Sequence, residues 1–155
     1  MSGEEDSVLT PQVYAGRCHT HVYDTLQYAK GVNISADDIA RLDSLVGDWL
    51  PLPDVAEILD ISVTKVQRLI EDYHLVEMRR GNPKVRSVPA EFLLDDAVVP
   101  HLRGTIMLLH DQHFADHEIL EWLFTSDDSL PGRPIDHLRR GQRGEVRRRA
   151  QSLGF

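Results

Sequence analysis

Apolar residues recur with helical spacing along several stretches of the chain, and at one place between them the period shortens. In "SADDIARLDSLVG" the stripe Ile39, Leu42, Leu45 and Val46 predicts a helix that Ser35 caps, Asp37 and Asp38 favour in the first turn, and Gly47 stops. This helix either packs on the body or serves as a linker. Upstream, Val22, Tyr23, Leu26 and Ala29 predict a helix near 19–30, and the first dozen residues, with "GEEDS" and Pro11, read as a frayed acidic arm. Downstream, Pro53 suits a first-turn position, and Val55, Ala56, Ile58 and Leu59 give a short helix. "DIS" is a tight turn, after which Ser62 caps a second helix with Val63, Val66, Leu69, Ile70 and Tyr73 inward. "VEMRRGNPKVRSV" then reads as two short strands around a Gly81-Asn82-Pro83 turn. Pro89 ends this hairpin, and "AEFLLDD" begins a further helix or turn.

Beyond Pro100 the pattern is all helical. "HLRGTIMLLHDQHF" is strongly apolar, and "ADHEILEWLF" takes Asp116 as its cap and buries Ile119, Leu120, Leu123 and Trp122. "SDDSLPGRP" is a loop, and "IDHLRRGQRGEVRRRAQSL" closes the chain with one or two short helices. The expected fold is mainly α with a small β-hairpin wing: a winged helix-turn-helix plus a C-terminal helical region. Residues 1–47 form an acidic arm and extension helix, 48–98 the winged helix-turn-helix, and 99–155 the C-terminal helices.

A helix-turn-helix needs a small residue where its helices touch, a turn residue that can leave the helix, and apolar positions that fix the second helix across the first. Ala56, Asp60, Ile61, and the pair Val66 and Leu69 fill these roles in turn. By elimination Ser62, Thr64, Lys65, Gln67 and Arg68 face outward. These types suit DNA, since Arg and Lys match guanine edges, Gln matches adenine, and hydroxyls and helix-start amides match phosphate. Glu71 and Asp72 sit poorly near phosphates, so only the first two turns of a recognition helix over 62–73 should enter a major groove. Over 76–88, Arg79, Arg80, Lys84 and Arg86 surround one turn with a single acid, Glu77. Each feature alone could be an ordinary solvated hairpin. A basic hairpin directly after a helix-turn-helix is more often a wing, lying along the backbone or entering the minor groove.

The total charge opposes this, because the 155-residue chain has a formal net charge of -8. The distribution changes the picture. Acids against bases number 7 to 3 over residues 1–47, 7 to 6 over 48–89, 9 to 1 over 90–131, and 2 to 7 over 132–155. The excess acid thus lies outside the helix-turn-helix and outside the tail, and binding to a polyanion follows local patches more than the sum. In the tail, Arg139, Arg140, Arg143, Arg147, Arg148 and Arg149 either reach phosphate as a second contact or neutralise the acidic segments.

Other chemistry finds little support. Cys18, His19 and His21 are too close and too few for a four-ligand zinc site, and His110, His113 and His117 with Asp111 and Asp116 read as surface and partly buried side chains. No phosphate-binding Gly loop, nucleophile elbow or zinc-protease motif is present. An enzyme, a metal and a cofactor are therefore not expected. With one cysteine, no membrane-length apolar run, and a start, "MSGEEDSVL", unlike a signal peptide, the expected location is the cytoplasm or nucleoid.

The stretches "LPDVAEIL", "LLHD", "EILEWLFT" and "VRRRAQ" resemble an actinobacterial family of small DNA-binding proteins over roughly residues 48–155. Its members join an excisionase- or MerR-like winged helix-turn-helix to a family-specific helical C-terminal region, and the best-known is a mycobacterial substrate of serine/threonine protein kinase L. The resemblance implies duplex DNA as partner, bound through Ser62 to Arg68 and the wing, in a transcriptional regulator or nucleoid-associated factor. The family's N-terminal arm can carry phosphorylation by a Ser/Thr protein kinase; Ser7 and Thr10, outside the resembling residues, are candidates only because they lie in the acidic arm. Separately, "EWLFTSDDSLPGRPIDHLRRG" is similar to the C-terminal segment of Xre/MbcA/ParS-class antitoxins. That implies the alternative of a protein-interaction module acting through the C-terminal helices, as a homodimer or with a toxin-like partner. This alternative requires an exposed apolar patch near Ile119, Trp122 and Leu130.

Overall fold

Helix α1 (Ala36–Val46) begins where the Ser35 hydroxyl accepts the Asp38 N–H at 3.1 Å, and it ends at Gly47, whose φ of 81° few other residues adopt without strain. It opens the computed structural model, which describes residues 34–154. The helix expected near 19–30, the "CHTH" stretch, Ser7 and Thr10 lie outside the described residues. The inner face of α1 buries Leu42 and Val46. It packs on helix α5 (Asp116–Phe124), and Arg41 reaches across to Glu121 at 3.1 Å. This helix is part of the body and not a linker.

Strand β1 (Trp49–Pro51) leads directly into α2 (Leu52–Leu59), and α3 (Val63–Glu71) follows after one turn. Strands β2 (Met78–Arg80) and β3 (Val85–Pro89) form the expected hairpin. The sheet has a third strand, however: β1 pairs antiparallel with β3, Trp49 opposite Pro89 and Pro51 opposite Ser87, which puts β3 in the centre. Three residues are too few to show alternation, so β1 left no periodic trace in the sequence. Pro89 correspondingly lies within β3 and does not end the hairpin before it. The segment after it makes one 3-10 turn (Ala90–Phe92) and then a second, minimal hairpin of β4 (Leu93–Leu94) and β5 (Ala97–Val98).

Helices α4 (Leu102–Asp111), α5, α6 (Pro134–Arg139) and α7 (Arg143–Ser152) complete the described chain. Asp116 is not the cap of α5; it is already helical, and Ala115 holds that position. The Ala115 N–H is taken by the Glu118 carboxylate at 2.8 Å, the reciprocal bond of a capping box, supplied from within the first turn. Trp122 is only half-buried, while Ile119, Leu120 and Leu123 are fully enclosed.

One core runs through the described residues. Val55, Val66, Val88, Phe92, Leu102, Ile106 and Leu120 have no exposed surface, and the Phe92 and Phe124 rings meet 5.7 Å apart. Two arginines stitch the segment after the wing to α6. Arg133 holds Glu91 and Asp136 with both arms of its guanidinium, and Arg139 donates to the Glu91 and Leu93 carbonyls at 2.6 and 2.7 Å. These bonds fix the segment that follows the wing against the C-terminal helices.

Candidate nucleic-acid interface

The turn between α2 and α3 forms as its residues dictate. Asp60 adopts the left-handed conformation (φ 55°, ψ 46°), and the Ile61 N–H returns to the Ala56 carbonyl at 3.0 Å, closing α2. Asp serves where glycine is usual because its short polar side chain tolerates this region best among non-glycine residues. The Ser62 hydroxyl then accepts the Lys65 N–H at 3.3 Å and starts α3. Val66 is completely buried and Leu69, Ile70 and Tyr73 are half-buried on the same side. Val63 departs from the expectation: it is 38% exposed. Its spacing puts it at the edge of the apolar stripe, yet it is not among the residues packed on the core.

On the opposite side Ser62, Thr64, Lys65 and Arg68 are exposed and Gln67 is half-buried. The side chains of Thr64, Lys65, Gln67 and Arg68 make no hydrogen bond or ion pair among the described residues. The far end of α3 is held firmly instead. Tyr73 takes a left-handed conformation (φ 63°) that lets the His74 N–H reach the Leu69 carbonyl at 2.8 Å. Its ring packs on His110 of α4 at 4.6 Å, and Arg103 donates to the Asp72 carbonyl at 3.0 Å. The recognition helix is thus anchored by the C-terminal region at its rear and open at its front.

The four wing cations are not equivalent. Arg80 bonds Asp43 of α1 at 2.5 Å and lies over the Trp49 ring at 5.4 Å, and Arg86 bonds Glu77 at 2.7 Å. Arg79 and Lys84 are exposed and carry no such partner among the described residues. Asp43 is distant in sequence, so nothing local could have assigned Arg80 to it. Arg79 and Arg86 also sit directly opposite in the strand register, a like-charge pairing that is unfavourable by itself.

A further neighbour was missed. The β4–β5 turn brings Asp96, Ala97 and Val98 to one side of an open groove whose other side is Leu59, Ile61, Lys65, Arg68 and Leu69. Asp95 and Asp96 both have positive φ, 52° and 60°. Two turn-forming residues between apolar pairs, "LLDDAV", are a two-residue hairpin signal that sequence reading could have used.

Several of the tail arginines are bonded within the molecule. Besides Arg133 and Arg139, Arg148 pairs with Glu145, Arg149 bonds Asp127 at 2.7 Å, and Arg143 reaches His101 at 3.3 Å. Arg140 and Arg147 are exposed. The Ser129 N–H, the Ser129 hydroxyl and Arg149, in that order, hold the Asp127 carboxyl down at about 2. The Asp136 carboxyl is likewise lowered, chiefly by its hydrogen bonds from Arg133. Near Trp122, Ile119 is 0% and Leu130 3% exposed, so the apolar patch that a toxin-like partner requires is not formed there.

Comparison with known proteins gives concordant results. Residues 36–93 match a family described as "DNA-binding protein Rv2175c, wHTH domain", and residues 99–154 one described as "Rv2175c C-terminal domain of unknown function". The chain is 37% identical over 134 residues to the DNA-binding protein Rv2175c of Mycobacterium tuberculosis, covering 78% of this chain and 88% of that protein. The NMR structure of Rv2175c superimposes with a TM-score of 0.64 at 36% identity, over 70% of this chain and 82% of that one.

Proposed function

Since the chain belongs to the Rv2175c family of winged helix-turn-helix DNA-binding proteins, we propose that it binds duplex DNA with the open front of α3 in the major groove and the wing against the adjoining backbone. The observation that carries this reading is the row of unpartnered side chains Thr64, Lys65, Gln67 and Arg68 on one helix. Most other arginines here are paired within the molecule, and a helix that leaves these groups free has them available for another polyanion or base edge. Gln67 and Arg68 suit adenine and guanine edges, while the Ser62 helix start, Thr64 and Lys65 suit phosphate. On the wing, Arg79 and Lys84 supply the mobile charge. Arg80 and Arg86 hold the wing in position through Asp43 and Glu77, a narrower role than equal phosphate contact.

The net charge of -8 predicts an affinity that is modest and steeply salt dependent, unless two copies bind together. Binding without covalent chemistry is the expected mode of action, in gene regulation or nucleoid organisation. The test is fluorescence anisotropy of a labelled duplex with wild type and Arg68→Ala/Arg79→Ala/Lys84→Ala across a salt series. Salt-sensitive binding that collapses in the triple variant is expected. Folded wild type that binds no duplex at low salt would sink the reading.

A further inference from the structure

Three large apolar side chains are exposed among the described residues, Ile58 at 36%, Val63 at 38% and Val85 at 43%, and all three belong to the winged helix-turn-helix. Ile58 shares its exposed helix surface with Asp54 and Glu57, which would repel a phosphate strand. Val85 lies on the wing opposite Arg80. Val63 has different surroundings. It is the first residue of α3, directly after the Ser62 cap, at the edge of the apolar stripe, and Gln67 lies one turn further along, on the neighbouring edge of the outward face. The Gln67 amide makes no hydrogen bond among the described residues, and the residue is half-buried.

Nothing in the fold recommends valine at this position. A β-branched residue is a poorer helix former than alanine, and this one contributes little to the core. The major groove, by contrast, offers one apolar group, the 5-methyl of thymine, beside the adenine N6 and N7 pair that an amide matches. Side chains four apart on a helix are about 5–6 Å apart, against about 3.4 Å between successive bases on a strand. The two side chains therefore span roughly one to two base steps, within reach of the same short stretch of one groove.

We propose that Val63 packs on a thymine 5-methyl group while Gln67 bonds an adjacent adenine, making the start of α3 an A·T-selective reader. The inference rests on the DNA-binding reading and adds a base preference to it.

The experiment uses the full chain and a duplex enriched from a random pool by that chain. Anisotropy is compared for this duplex and for the same duplex with every thymine replaced by uracil, which removes only the methyl groups. Wild type should bind the thymine duplex about fourfold more tightly for each methyl contacted. Val63→Ala, an exposed change to a better helix former, should bind both duplexes alike. Gln67→Ala should bind more weakly overall yet keep the thymine preference. Equal binding of both duplexes by wild type, or a thymine preference that persists in Val63→Ala, overturns the inference and leaves DNA binding standing. Failure of wild type to enrich or bind any duplex overturns the DNA reading and this inference with it.

Discussion

The wing and the tail carry the two densest sets of cations in the chain, and they are built for opposite ends. In the wing, two of four cations, Arg79 and Lys84, are left without a partner among the described residues, and the paired two, Arg80 and Arg86, lie beside them. In and just before the tail, Arg133, Arg139, Arg148 and Arg149 are each committed to carboxylates or backbone carbonyls. The tail holds more arginine and leaves a smaller share of it open: Arg140 and Arg147 of its seven make no hydrogen bond or ion pair among the described residues, against two of the four wing cations. Availability, not the count of charges, separates a surface that can take a polyanion from one that neutralises its own acid.

The sharpest way to break this contrast is to remove a tail arginine that the fold uses. Arg139→Ala leaves two carbonyls, those of Glu91 and Leu93, without their charged donor. It should destabilise the protein by about 2–3 kcal/mol in urea unfolding. DNA affinity per folded molecule should be unchanged. The wing pair should behave in reverse: Arg79→Ala/Lys84→Ala should weaken duplex binding at least about tenfold near physiological salt and flatten the salt dependence by about two charges. Its effect on unfolding should stay within about 0.5 kcal/mol. A wing variant that unfolds, or an Arg139 variant that stays stable but loses DNA, would reverse the assignment of the two regions.

Arg80→Ala tests the division inside the wing. Because its guanidinium is already shared by Asp43 and the Trp49 ring, its loss should cost less than threefold in affinity, clearly less than Arg79→Ala alone. Equal losses in the same anisotropy assay would mean that Arg80 leaves Asp43 to meet the backbone.

Much of this architecture was legible from the order of residues. The caps at Ser35 and Ser62, the stop at Gly47, the turn at Asp60 and the β2–β3 hairpin are local events, set by residues within a few positions of one another. What escaped was set by distance. Strand β1 exists because β3 pairs with it, Arg80 is bonded by an aspartate 37 positions earlier, and Val63 is exposed although it borders the apolar stripe. The outward face of α3 followed by elimination from the stripe, so Thr64, Lys65, Gln67 and Arg68 were assigned without knowing what packs behind them. Which wing cations were free could not be assigned that way, since their partners lie in other elements or across the sheet.

The smallest expected effect concerns the tail's own lock. Asp127 is held ionised by Ser129 and Arg149 down to about 2, below the ordinary aspartate value of about 3.9. A carboxyl lowered by folding adds stability that is fully present above its unfolded value and is lost as pH falls through the folded one. The unfolding midpoint of wild type should therefore drop faster than that of Asp127→Asn as pH falls from about 4 to about 2, and the gap between the two should narrow. At neutral pH the same substitution releases Arg149 without adding any cation. If commitment to internal carboxylates were all that kept the tail from DNA, Asp127→Asn would bind the duplex markedly more tightly. The expected gain is less than about twofold, because the freed arginine is one exposed charge that salt screens, on a region with no row of partnerless groups comparable to the front of α3.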